Sequence, residues 1–85
     1  MITTESTHEV TTAAGNVVRC ESRQEGENII NIVTIDGTLY AQDSIKAQGG
    51  WTNAAVEAQT EAERVAEEIA SGEIRQVDGN WQYVS

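Results

Sequence analysis

The residues able to carry chemistry are few: one histidine, one cysteine and a glycine pair ahead of a predicted helix, in a chain with 14 acidic side chains. His8 sits in the threonine-rich run ITTESTHEVTT, with Glu5 and Glu9 close in sequence. General-base work needs a fixed orienting partner and a pocket, and this stretch supplies neither, so His8 reads as a solvated strand histidine. Cys20 falls on the apolar side of its segment, where a free cysteine behaves as a small hydrophobe; no base or helix N-terminus is placed to activate it. Gly49-Gly50 before a helix start invites comparison with phosphate-cradling loops. There is no GxGxxG and no Walker-type lysine, and Trp51 follows directly, so a hinge or a close approach of chain to sheet is the better reading. One histidine and one cysteine write no zinc-ligand spacing, and the acids lack the DxDxDG pattern of calcium loops. No catalytic set, cofactor or metal is expected, and the chain reads as a non-enzyme.

The acids themselves are the larger signal. On a helix over the second half of the chain, Glu57, Glu61 and Glu68 line one side of the exterior and Glu63 and Glu67 form a second row one turn apart, with Arg64 as the internal counter-charge. Like charges at that spacing cost a few tenths of a kcal/mol per pair, roughly, so the arrangement needs a reason. One reason is a solvated face that keeps the chain in solution. The other is a face that meets a basic surface, such as one that ordinarily binds nucleic-acid phosphates.

Positioning those residues takes a sheet and a helix. Thr, Val and Ile dominate before Gly49-Gly50 and Ala and Glu after it, which predicts strands first and a helix second. Residues 2–12 alternate weakly and predict a frayed edge strand with Ile2, His8 and Val10 inward. AAGN predicts a turn, and residues 16–23 a half-buried strand with Val18 and Cys20 on one side. Gln24–Asn28 has the composition of a hairpin loop. IINIVTI, Asp36-Gly37 and TLYAQ then predict a β-hairpin, because that dipeptide tolerates the positive φ of a two-residue turn. Its expected register puts Val33 opposite Tyr40 and Thr34 opposite Leu39. One face then collects Ile30, Ile32, Leu39 and Ala41, the other Ile29, Val33, Ile35 and Tyr40. Apolar residues on both faces require a central strand or a covering partner.

Asp43 or Ser44 is expected to cap a short turn through Ala47. Thr52 or Asn53 caps a helix running to about Ser71, with Gly72 as its left-handed C-cap. Ala55, Ala58, Ala62, Val65 and Ile69 recur at helical spacing, and Ala54, Ala66 and Ala70 widen the stripe. So small a stripe lets the helix lie close to a sheet but buries little area per residue, leaving Val65, Ile69 and Trp51 as anchors. Asp78-Gly79 predicts a closing hairpin in which Ile74, Trp81 and Tyr83 share a face.

Eighty-five residues suffice for one domain, here residues 1–85, and the predicted class is α+β: a small antiparallel sheet of four to six strands packed by one Ala/Glu-rich helix, in the order β-β-β-β-α-β-β. A formal charge of -9 argues against a polybasic nucleic-acid or membrane binder, and no apolar run of membrane-spanning length or leader-like segment is evident. The expected compartment is the cytoplasm. With no phenylalanine, Trp51, Trp81, Tyr40 and Tyr83 are the aromatic anchors, and any of them left exposed is a candidate contact residue. An alanine-rich core of this size suits a marginally stable monomer or a homodimer.

The hairpin IVTIDGTLYAQ, the helix NAAVEAQTEAERVAEEIASG and the closing hairpin EIRQVDGNWQYV together resemble, over residues 29–84, the ββαββ layout of some small phage-encoded anti-CRISPR proteins. The likeness lies in architecture, size and charge. It implies a small acidic inhibitor that blocks a host nucleic-acid machine, in the cytoplasm of an infected cell, without binding nucleic acid or membrane itself. The partner-binding residues expected on that reading are Glu57, Glu61, Arg64 and Glu68 for charge, with Trp51, Trp81 and Tyr83 for burial. The alternative is a structural or assembly module that self-associates through its two-sided sheet.

Overall fold

The computed structural model describes residues 5–47 and 53–84. Ile2, Gly49-Gly50, Trp51 and Thr52, to which the sequence assigned roles, lie outside them. The class is α+β in the order expected: β1 (Glu5–Thr11), β2 (Val17–Glu25), β3 (Asn28–Ile35), β4 (Thr38–Lys46), α1 (Ala54–Ser71), β5 (Ile74–Val77) and β6 (Asn80–Tyr83). The first four strands form an antiparallel meander in the order β1-β2-β3-β4, and β5 and β6 pair apart from it as a separate hairpin.

Alternation along each strand divides the meander into two faces. Val18, Cys20 and Ser22 of β2 and Ile29, Asn31, Val33 and Ile35 of β3 are buried under the helix. Val10 of β1 joins them from the edge. The expected inward side of β1 is thus present, with His8 opposite Cys20 and half-buried. α1 supplies Ala54, Ala58, Ala62, Val65 and Ala66 to the same layer and lies mainly over β1 and β2. Its alanines bring the helix backbone down onto the β-branched side chains of the sheet. Ala55 and Ala70, read from the spacing as part of the stripe, are exposed, because the contact with a flat sheet is narrower than the full apolar arc. The helix ends follow the capping chemistry. The Asn53 side chain accepts from the Val56 N–H at 3.0 Å, and Gly72 adopts φ 87° with its N–H donating to the Ile69 carbonyl.

Two expectations are corrected in β4. The predicted turn starting at Asp43 or Ser44 is instead strand, paired with β3 out to Asn28–Lys46. The β3–β4 register also shifts between Val33 and Thr34: Thr34 faces Leu39 as expected, but Val33 faces Ala41, leaving Tyr40 as the extra residue of a bulge. The bulge turns both Tyr40 and Ala41 toward the core, whereas strict alternation had put Ala41 on the outside with Leu39. Burial then pushes the Tyr40 hydroxyl above its ordinary pKa, with the nearby Glu68 carboxylate adding to the effect.

Asp36 fixes where the meander turns. With Gly37 it has positive φ, 51° and 83°, the conformation of a two-residue hairpin turn. Its carboxylate accepts from the Val17 N–H at 2.9 Å and from the Asn16 side-chain amide at 2.8 Å, while its own N–H donates to the Val17 carbonyl. The start of β2 is thereby tied to the β3–β4 turn. The Val17 backbone bond, followed by the Asn16 bond, holds the Asp36 carboxyl below the usual aspartate value. A lowered folded-state pKa adds stability that is present above the unfolded value of 3.8 and lost as pH falls through the folded one.

Two outcomes follow from this packing. Asp36→Asn keeps a turn-competent residue but removes the charge. Thermal unfolding followed by circular dichroism should give it a lower Tm than the parent at pH 7, with the two converging at acid pH; a gap that persists or widens there contradicts the charge argument. Ala62→Leu, at a fully buried contact, should cost about 1–3 kcal/mol through overpacking, while Ala55→Leu stays within about 0.5 kcal/mol, both measured by urea unfolding.

A candidate protein-interaction surface

Beneath the helix a polar chain runs through the apolar layer and ends at two carboxylates. The Ser22 hydroxyl donates to the Asn31 side-chain carbonyl at 2.6 Å, and both residues are buried. With that proton committed, the Ser22 oxygen is left to accept from the Cys20 thiol, 3.6 Å away. The Asn31 amide nitrogen donates to Asp43 Oδ1 at 3.2 Å and Glu57 Oε1 at 3.0 Å. One amide therefore joins β2, β3, β4 and α1, and among the described residues no buried side-chain polar atom lacks a partner. Burial, partly offset by the Ser22 contact, pushes the Cys20 thiol above its ordinary pKa, so it is set up as a packed thiol and not as a nucleophile. Strand alternation alone places Asn31 on the buried face; the sequence signal for the node is an amide at a core-facing position of IINIVTI.

Glu57, Glu61, Arg64 and Glu68 stand together on α1, but they do not form a free row of charge. Glu57 is held by Asn31. Arg64 donates through both terminal nitrogens, to Glu61 and to Glu68, at 2.5 Å each. Those two carboxylates are 16% and 15% exposed, so they line the margin of the helix–sheet contact. The hydrogen bond to Glu61 is the largest influence raising the Arg64 pKa further. The open carboxylates of the helix are Glu63, which accepts from Gln59, and Glu67. Of the aromatic anchors, Trp81 packs against the core and is half-buried, whereas Tyr83 is 54% exposed. The Tyr83 hydroxyl donates to Glu73 at 3.1 Å, and that bond to a carboxylate raises its pKa. Trp81 and Tyr83 share a face with Ile74, as expected from the hairpin register.

All 19 charged side chains lie within the described residues, and the fold sorts 16 of them into two groups, leaving Glu27 and Asp36 in hairpin turns and Asp43 on the inner side of β4. The helix and closing hairpin carry Glu57, Glu61, Glu63, Glu67, Glu68, Glu73 and Asp78 against Arg64 and Arg75. On the opposite, outward face of the meander, strand alternation sets Glu5, Glu9, Glu21 and Glu25 against Arg19, Arg23 and Lys46, close to neutral. Arg19 bridges Glu9 and Glu21, and Arg23 pairs with Glu25. Among the described residues there is no group of three or more His, Cys, Asp or Glu side chains placed to hold a metal, and no helix is long and apolar enough to cross a membrane. Compared with known proteins, the chain matches no family model, no curated protein and no solved structure.

The polar node gives a direct test. Asn31→Ala takes the strong acceptor from the buried Ser22 hydroxyl, leaving it only the weak Cys20 sulfur, and should cost about 2–3 kcal/mol in urea unfolding, whereas adding Ser22→Ala in the same chain should restore part of the loss. Strict additivity of the two substitutions would contradict the coupling.

Proposed function

We propose that the protein is a non-enzymatic inhibitor that binds one protein partner, its acidic helix and closing hairpin docking on a basic surface that otherwise receives nucleic-acid phosphates. The observation that carries this reading is the sorting of charge: α1 and the closing hairpin, with Glu73 and Asp78 in their connections, carry seven acids against two bases, whereas the outward face of the sheet carries four acids against three bases. A charge spread evenly would serve solubility alone. A charge gathered on one side creates a directed field that speeds encounter with a surface of opposite sign and fixes the orientation of docking. The layout of the chain, resembling small phage-encoded anti-CRISPR proteins, makes a bacterial CRISPR–Cas complex or another host defence or nucleic-acid-processing complex the partner class, met in the cytoplasm of an infected cell.

Within that surface the residues divide by what they are free to do. Glu63, Glu67 and Glu73 supply charge to the partner, and the exposed Tyr83 beside Glu73 supplies an aromatic contact. Glu57, Glu61 and Glu68 add to the field but are held by Asn31 and Arg64, so their substitution acts on the fold as well as on binding.

The test is binding of the purified protein to a panel of bacterial CRISPR–Cas complexes and other nucleic-acid enzymes at low and high salt, with and without competing DNA. The expected partner is bound at low salt, released by salt and displaced by DNA, and the Glu63→Lys/Glu67→Lys variant weakens binding about tenfold or more. Unchanged affinity in that variant, or binding indifferent to salt and DNA, contradicts the proposal.

A further inference from the structure

The outward face of the meander is mainly apolar toward β3–β4 and mainly charged toward β1–β2, and taken whole it is close to neutral. Across the strands the register gives the rows Glu9–Arg19–Thr34–Leu39, Thr7–Glu21–Ile32–Gln42 and Glu5–Arg23–Ile30–Ser44. The β1–β2 half thus holds Glu5, Glu9, Glu21 and Glu25 with Arg19 and Arg23, and the β3–β4 half holds Ile30, Ile32 and Leu39 among neutral polar residues, with Lys46 at one end. Leu39 is 59% exposed, and Val17 at the same end is 37% exposed. Two shallow depressions, of about 370 and about 130 Å³, lie on either side of Ile32 and reach the Arg19 and Arg23 side chains. α1 covers the other face, and β5 and β6 form their own pair, so among the described residues no element packs on this one.

We propose that this face binds a second copy of the chain, sheet on sheet about a two-fold axis beneath β3, with Ile30, Ile32 and Leu39 at the centre and the Glu–Arg pairs of β1 and β2 as the rim. Charge selects the occupant. Two chains of charge -9 repel wherever helix sides meet, and the outward face is where they can touch with the least opposing charge, since its four acids stand against three bases. A strongly basic partner gains little there, because each Arg or Lys it brought would meet an Arg19 or Arg23 already held among carboxylates. Area permits the pairing. Four strands about 4.8 Å apart and about eight residues long present roughly 500 Å² per copy, so two copies bury on the order of 1,000 Å², the lower limit for a specific contact. The pairing is isologous, as a two-fold contact must be, and it leaves both acidic helix sides pointing outward. It does not depend on the proposed inhibitor role.

The test is sedimentation of the full chain from about 5 to about 500 µM, which brackets micromolar to sub-millimolar association, at low and high salt. The expected weight-average mass rises from 9.2 kDa toward twice that, and salt strengthens the association slightly by screening the like charge of the two copies. Leu39→Asp and Ile32→Asp should each hold the chain at the monomer mass throughout the range, with the far-UV circular dichroism of the parent, while Glu63→Lys should still dimerise. A parent chain that stays monomeric at every concentration overturns the proposal, as does association that grows beyond two copies or that survives Leu39→Asp. The Leu39 variant alone suffices should Ile32→Asp fail to fold, because Leu39 is the more exposed side chain.

Discussion

A single helix has to cover a four-stranded sheet, and the rest of the structure follows from that shortage of material. Eighteen helical residues make a rod about 27 Å long and about 10 Å across, against a sheet about 19 Å wide. α1 therefore lies over β1 and β2 and leaves the inner side of β4 thinly covered, so that Asp43 is exposed and Ile45 half-buried. The alanine stripe is the compensation. Small side chains bring the rod close enough for Val18, Cys20, Val33 and Ile35 to be sealed by Ala62, Val65 and Ala66, and the closing hairpin adds Ile74 and Trp81 to the same layer. Nothing remains of the described chain to cover the second face of the sheet.

The Asn31 node belongs to the same constraint. Where the helix no longer reaches across β3 with apolar side chains, the layer is completed by an amide that spans from Ser22 to Asp43 and Glu57. Each of its hydrogen bonds ends on a different element, and two end on carboxylates, which makes them stronger than neutral bonds and costly to leave unmade. The node fixes the first turn of α1 over the β3–β4 hairpin and so sets which helix side meets solvent. With Arg64 gathering Glu61 and Glu68, the charge at the margin of the helix is halved locally and the open carboxylates are Glu63 and Glu67 farther out.

Much of this was legible in the residues, because local chemistry decided it. The Asp-Gly turns, the Asn53 and Gly72 caps and the alternation of β2 and β3 each rest on a few neighbouring positions, and the element order follows from them. What was not legible required knowing what lay across the sheet. The bulge at Tyr40 is a register decision between two strands, and the continuation of β4 past Asp43 depends on β3 being long enough to pair with it. The same holds for charge. Helical spacing correctly put Glu57, Glu61 and Glu68 near one another but not their distance from the sheet, so carboxylates read as an open face turn out to be engaged by Asn31 and Arg64.

The surface divides by physical character, an acidic side built on α1 with β5–β6 and a nearly neutral, partly apolar side on the outward sheet, each suited to a different contact. The most direct measurement is a pair of amide-resolved NMR titrations of the labelled chain, one by its own concentration and one with an arginine-rich peptide. Separate responses are predicted: concentration shifts amides around Ile30, Ile32 and Leu39, and the peptide shifts those around Glu63, Glu67 and Glu73. A single set of amides moving in both titrations, or peptide shifts centred on the outward strands, would contradict that division.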